Sequence, residues 1–122
     1  MAVDLADAYM GGLQRGDVDA VLGLLAPEAV FQSPFGSWRG RLLRSVYAAR
    51  AVAFCDLDID ALTRGAGRAV ILWHATVAGA RVESAEVLSL GETAIGRVDA
   101  YLRPADVLES VYTAMARAWP AR

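Results

Sequence analysis

Cysteine is nearly absent from this chain. Cys55 is the only one among 122 residues, which excludes an internal disulfide and any metal site built from cysteines. Positive charge is present but never clustered: 12 Lys/Arg are scattered among 14 Asp/Glu, for a net charge of −2. Without a basic run, neither a nucleic acid nor an anionic membrane is an expected partner. No apolar stretch approaches the roughly 20 residues that span a bilayer. The opening Met1-Ala2-Val3-Asp4-Leu5 has neither the positive region nor the apolar run of a secretory signal, so a soluble, cytoplasmic protein is expected. Repeats, linkers and low-complexity segments are also missing, which makes residues 1–122 a single expected domain.

What is present is apolar and periodic. A hydrophobic content of 56% is enough for one sizeable core. Leu5, Ala8, Tyr9, Gly12 and Leu13 recur at helical spacing and put Tyr9 on a buried stripe. Gly16 can close that helix and Asp17 can cap the next, whose stripe is Val18, Val21, Leu22 and Leu25, ending before Pro27. From Glu28 to Pro34 the period drops to two, so Ala29, Phe31 and Ser33 share one face of a strand. A third helix is predicted over about 41–51. Four strand-like runs follow, at about 54–63, 68–78, 82–90 and 94–102, separated by the turn signals Gly65-Ala66-Gly67, Gly79 and Gly91-Glu92. Pro104 opens a last helix with an apolar stripe of Val107, Leu108, Val111, Tyr112, Met115 and Trp119.

This order, with Tyr9 in the first helix, the Gly16-Asp17 break, Phe31 to Pro34, Gly40 ahead of a helix and Leu102-Arg103-Pro104, resembles the nuclear transport factor 2-like superfamily. That superfamily includes ketosteroid isomerases and SnoaL-like polyketide cyclases. The resemblance implies an α+β cone, a curved and mostly antiparallel sheet wrapped around the N-terminal helices, with an additional C-terminal helix. It also implies an apolar hollow for a small molecule, no cofactor and no metal, and a homodimer formed through the outer face of the sheet, to which the apolar residues on both faces of Val70–Trp73 would contribute.

Candidate site residues follow from the strand faces and from the family. A tyrosine at the place of Tyr9 donates to the enolate oxygen in the isomerases; the alternative is a core tyrosine bonded to an ordinary partner. Glu86 alternates with Leu88 and Leu90, so if that face is the inner one a carboxyl enters the hollow and suits acid chemistry or hydrogen-bond donation. A register shifted by one residue would put Val87 there instead. The isomerases use a protonated aspartic acid on a comparable strand. Asp99 is a second catalytic candidate, because the cyclases use an aspartate in this part of the sheet, although Val98, Ala100 and Leu102 look more like the hollow side. Phe31, Ser33, Phe35, Trp38, Phe54, Trp73 and Leu88 are expected to line the ligand site.

Ser33 departs from the isomerase pattern. Those enzymes carry a proton-moving carboxylate just before the proline, and a serine hydroxyl has no such basicity. His74 must point opposite to Trp73 and has no partner in the sequence pattern. Asp56, Asp58 and Asp60 alternate along one strand face, about 6.6 Å per pair, too far apart to share one cation easily. Two functions stand at this point: a cofactor-independent cyclase- or isomerase-like enzyme acting on an enolisable carbonyl compound, with Tyr9 and Glu86 at its centre, or a non-catalytic ligand-binding or dimerisation module.

Overall fold

The computed structural model describes residues 4–120; Met1 to Val3, part of the opening stretch read above for a signal, lie outside them. The elements run α1 (Leu5–Arg15), α2 (Val18–Leu22), β1 (Leu25–Ser33), β2 (Gly36–Arg39), α3 (Leu42–Ala53), β3 (Cys55–Gly65), β4 (Arg68–Val77), β5 (Ala80–Leu90), β6 (Ile95–Arg103) and α4 (Leu108–Ala118), the last preceded by a short 3-10 turn at Ala105–Val107. The six strands form one sheet in the order β2-β1-β6-β5-β4-β3. Only β1 and β6 run parallel; every other pair is antiparallel. The result is an α+β fold in which a mostly antiparallel, curved sheet carries the helices on its concave side.

The local chemistry explains the breaks. Asp4 caps α1 through its carboxylate and the Asp7 N–H at 3.1 Å, and Asp17 caps α2 in the same way through Ala20 N–H at 3.1 Å. Between them Gly16 takes a left-handed conformation, φ +64°, and its N–H and that of Asp17 return to the carbonyls of Leu13 and Gly12. Sheet curvature has an equally local origin. Register irregularities interrupt the β1/β6, β3/β4 and β5/β6 ladders, and each such irregularity bends and twists its strand.

Two expectations are corrected here. Leu25 belongs to β1 and not to the second helix, which stops at Leu22 with Gly23 as its cap. The chain also forms β2, a short strand hairpinned onto β1 with Phe31 opposite Trp38. Four residues with no apolar alternation give no period to detect.

Burial alternates cleanly along the central strands. Ile71, Trp73, Ala75 and Val77 of β4, Val82, Ser84, Glu86 and Leu88 of β5, and Val98 and Ala100 of β6 face inward. On this concave face α1 contributes Tyr9 and α3 contributes Leu43, Val46, Tyr47 and Arg50. A smaller cluster of Val77, Val82 and Val111 ties α4 to the end of the hairpin between β4 and β5.

Candidate functional site

The inner face of β5 carries a carboxylate. Glu86 is 0% exposed and meets Arg50 of α3, 5% exposed, in a two-point ion pair: Nη2 donates to Oε2 at 2.6 Å and Nη1 to Oε1 at 3.2 Å. The indole Nε1–H of Trp73 donates to Oε2 at 2.6 Å, and the Tyr9 hydroxyl donates to Oε1 at 2.7 Å. With its one hydrogen directed at Glu86, Tyr9 can only accept from Tyr47, whose hydroxyl lies 2.6 Å away. Four donors therefore converge on one carboxylate, and both tyrosine hydrogens are engaged.

The guanidinium of Arg50 is also enclosed by aromatic faces. Its centre lies 5.2 to 5.6 Å from the rings of Tyr47, Phe31, Trp73 and Phe54, within cation–π range. Burial works against its charge, but the adjacent Glu86 carboxylate outweighs that and holds the Arg50 pKa above its ordinary value. Burial, reinforced by the Glu86 charge, pushes the Tyr9 hydroxyl well above the usual tyrosine range. Tyr47 moves the same way, burial being the main cause and Glu86 adding to it against the opposing Arg50 charge.

Beside this network lies a cavity of about 400 Å³. Phe31, Ser33, Phe35 and Trp38 of the β1–β2 hairpin form one wall. Val46, Arg50 and Phe54 form a second, Trp73, Ala100 and Leu102 of the sheet a third, and Tyr112, Met115, Ala116 and Trp119 at the chain's last helix the fourth. Tilted ring contacts link the walls: Phe35 with Tyr112 at 5.6 Å between ring centroids, and Trp38 with Trp119 at 6.2 Å. Arg50 and Phe54 also border a more polar cleft at the α1–α2 turn, so they form part of the partition between the two spaces.

The sequence candidates separate into two groups. Phe31, Ser33, Phe35, Trp38, Phe54 and Trp73 border the cavity, whereas Leu88, 0% exposed, is packed into the core and does not. Ser33 accepts from the Phe35 N–H at 3.2 Å in the turn ahead of Pro34. Glu86 and Tyr9 come together, but behind Arg50 and Trp73 and not on the cavity wall. Strand alternation places Asp99 on the opposite face of the sheet, where Arg97 pairs with it at 3.0 Å and also bonds Gln32. Tyr101 is exposed on that same outer face, and His74 lies there in contact with Asp60 at 3.0 Å. Asp56, Asp58 and Asp60 are all exposed on edge strand β3, and no cluster of three metal-ligating side chains occurs among the described residues.

Arg50 and Tyr47 are the residues that sequence reading missed. Their signal was available: Leu43, Val46, Tyr47 and Arg50 follow helical spacing, so an arginine stands on the apolar stripe of α3. A cation there requires a buried anion, and among the described residues the only carboxyl on an inward strand position is Glu86. The apolar stripe of α4 was legible, but not that Tyr112, Met115 and Trp119 would complete the cavity.

A family model for the SnoaL-like domain matches residues 6–102, all but one residue of the sheet and nearly all of the three helices α1 to α3. The chain belongs to the SnoaL-like domain family. Solved structures agree on the fold. A steroid delta-isomerase from Pseudomonas aeruginosa superimposes with a TM-score of 0.83 at 21% identity, covering 95% of this chain and 92% of that one. A nuclear transport factor 2-like protein from Cytophaga hutchinsonii superimposes with a TM-score of 0.73 at 14% identity, covering 88% and 96%. A protein of ketosteroid isomerase-like fold from Catenulispora acidiphila, in complex with trimethylamine, gives a TM-score of 0.70 at 16% identity, covering 92% and 95%. No curated protein matches the sequence. This SnoaL-like chain thus has the cone of the superfamily, with α4 as the additional C-terminal helix, and no described helix is long and apolar enough to cross a membrane.

Proposed function

We propose that this SnoaL-like protein binds a small, largely apolar molecule in the cavity between sheet, α3 and α4. The observation that carries the proposal is the wall itself: seven aromatic rings and several aliphatic side chains surround about 400 Å³, the size and chemistry of a small-molecule site.

Binding without enolisation is the better supported form of this function. An oxyanion site needs hydrogen-bond donors aimed at empty space. The hydrogens of Tyr9 and Tyr47 are both directed into the network, and Glu86 accepts from four donors and has none to offer. Ser33, at the position where the isomerases have their base, accepts from a backbone N–H in a turn. An isomerase- or cyclase-like activity on an enolisable carbonyl compound is the competing reading, favoured by the family match and by the fold shared with the steroid delta-isomerase.

The test uses the tryptophans, because all three of the chain, Trp38, Trp73 and Trp119, border the cavity. Addition of 2-ethylnaphthalene should shift their indole N–H resonances saturably, and native mass spectrometry of freshly purified protein should show a retained apolar ligand. Resonances that do not move with any apolar probe would remove the binding function. Deuterium exchange alpha to the carbonyl of a bound ketone, catalysed by the protein, would favour the enzyme instead.

A homodimer belongs to the same proposal. Val70, Leu72, Ala85, Val87 and Tyr101 form a cross-strand band on the outer face of β4, β5 and β6, with Leu72 43% and Tyr101 61% exposed. Such a band on a self-complementary sheet face suits a two-fold partner of the same chain.

A further inference from the structure

We infer that Arg50 is the polar anchor of the cavity and that its pairing with Glu86 makes the site select neutral acceptors, ketones or esters, over carboxylates. The inference rests on the binding function proposed above. Arg50 is part of the cavity wall, yet only two of the five N–H groups of its guanidinium are engaged, both by Glu86. The others have no hydrogen-bond acceptor among the described residues, and the guanidinium centre, which borders both the cavity and the polar cleft, has only aromatic rings 5.2 to 5.6 Å away as further partners. A buried charged donor bonds an acceptor more strongly than a neutral one does. Ser33 is already engaged in its turn and the Trp73 N–H is given to Glu86; the other side-chain donors of the wall, on Trp38, Tyr112 and Trp119, are neutral and therefore weaker than Arg50. An apolar molecule carrying one carbonyl would therefore direct its oxygen at Arg50.

The charge balance decides which acceptor is preferred. Arg50 and Glu86 neutralise each other inside a wall of aromatic and aliphatic groups. A carboxylate entering the cavity would bring an uncompensated negative charge next to Glu86 and lose its hydration, which is costly in an apolar site. A cation would meet Arg50 first. A neutral carbonyl incurs neither penalty.

Calorimetric titration of the wild-type protein with three matched probes tests this: 2-acetylnaphthalene, 2-ethylnaphthalene and 2-naphthoate. The ketone should bind about tenfold more tightly than the hydrocarbon, the scale of one hydrogen bond to a charged donor, and more tightly than the carboxylate. In the same protein the Arg50 Nε–H resonance should move with the ketone and stay in place with the hydrocarbon. The double variant Arg50→Met/Glu86→Gln, which removes both charges together, should bind ketone and hydrocarbon equally. Equal affinities in the wild type, or an Arg50 resonance indifferent to the ketone, would overturn the anchor while the cavity function stands. Tightest binding by the naphthoate would overturn the selectivity. Failure of all three probes to bind would remove the binding function itself.

Discussion

Glu86 illustrates how little a residue's type says about its work until its partners are known. A lone carboxyl on an inner strand face reads as an acid, whereas a carboxylate held by Arg50, Trp73 and Tyr9 is a structural anion whose acceptor sites are filled. Glu86→Gln should accordingly lower stability by about 3 kcal/mol or more, because it leaves a buried arginine unpaired; denaturant unfolding should show most of that recovered in the double variant with Arg50→Met. Tyr9→Phe removes the bond to Glu86 and leaves the buried Tyr47 hydroxyl without its acceptor, so it should lower stability by about 2–3 kcal/mol and leave affinity for apolar probes unchanged, since Tyr9 does not line the cavity. The raised Tyr9 and Tyr47 pKa values have a definite sign. A hydroxyl kept neutral in the fold contributes stability that is fully present below the unfolded tyrosine value of about 10 and is lost as the pH rises above it toward the folded values. Tyrosinate absorbance should show two residues ionising only as the chain unfolds in alkali.

At the scale of elements, close approach and capping decide what each segment tolerates. Gly12 on α1 faces α2, and a Cβ there would sit 2.8 Å from Cγ2 of the buried Val21. Gly11, one residue earlier, would bring its Cβ only to 3.1 Å from the mobile end of Arg15. Alanine raises helix propensity by about 0.5–1 kcal/mol at either position, but at Gly12 the overlap costs about 1–3 kcal/mol and wins. Thermal melts should therefore move in opposite directions, up for Gly11→Ala and down for Gly12→Ala. Helices α1, α3 and α4 and strands β3 to β6 were legible because each is long enough to display its period. Strand β2 was not, and Leu25 continues a helical stripe as well as it begins a strand, so only its pairing with Ile95 across the sheet settles its state.

At the scale of the molecule, the outer sheet face and the cavity make separate demands. Light scattering should give twice the 13.0 kDa chain mass at micromolar concentration, and the paired substitution Leu72→Glu/Tyr101→Glu, on the outer sheet face and outside the cavity lining, should return a monomer that still binds apolar probes. A single chain mass for the wild type would remove the dimer. We further propose that the chain unfolds as one domain, with fluorescence and circular dichroism transitions that coincide.

The sequence by itself determined most of the elements: the apolar periods of 3.6 and 2, the Gly16-Asp17 break and the cap at Asp17 are local properties that short-range sterics and hydrogen bonding dictate. It also determined that Trp73 would be core or pocket wall, because the run Val70–Trp73 is apolar on both faces. Which groups meet was decided only by the tertiary structure. Glu86 lies 36 residues from Arg50 and 77 from Tyr9 along the chain, and nothing local distinguishes an unpaired buried acid from a neutralised one. The same holds for the cavity, whose fourth wall arrives with α4. Periodicity tells each segment which side to bury, and only packing tells it against what.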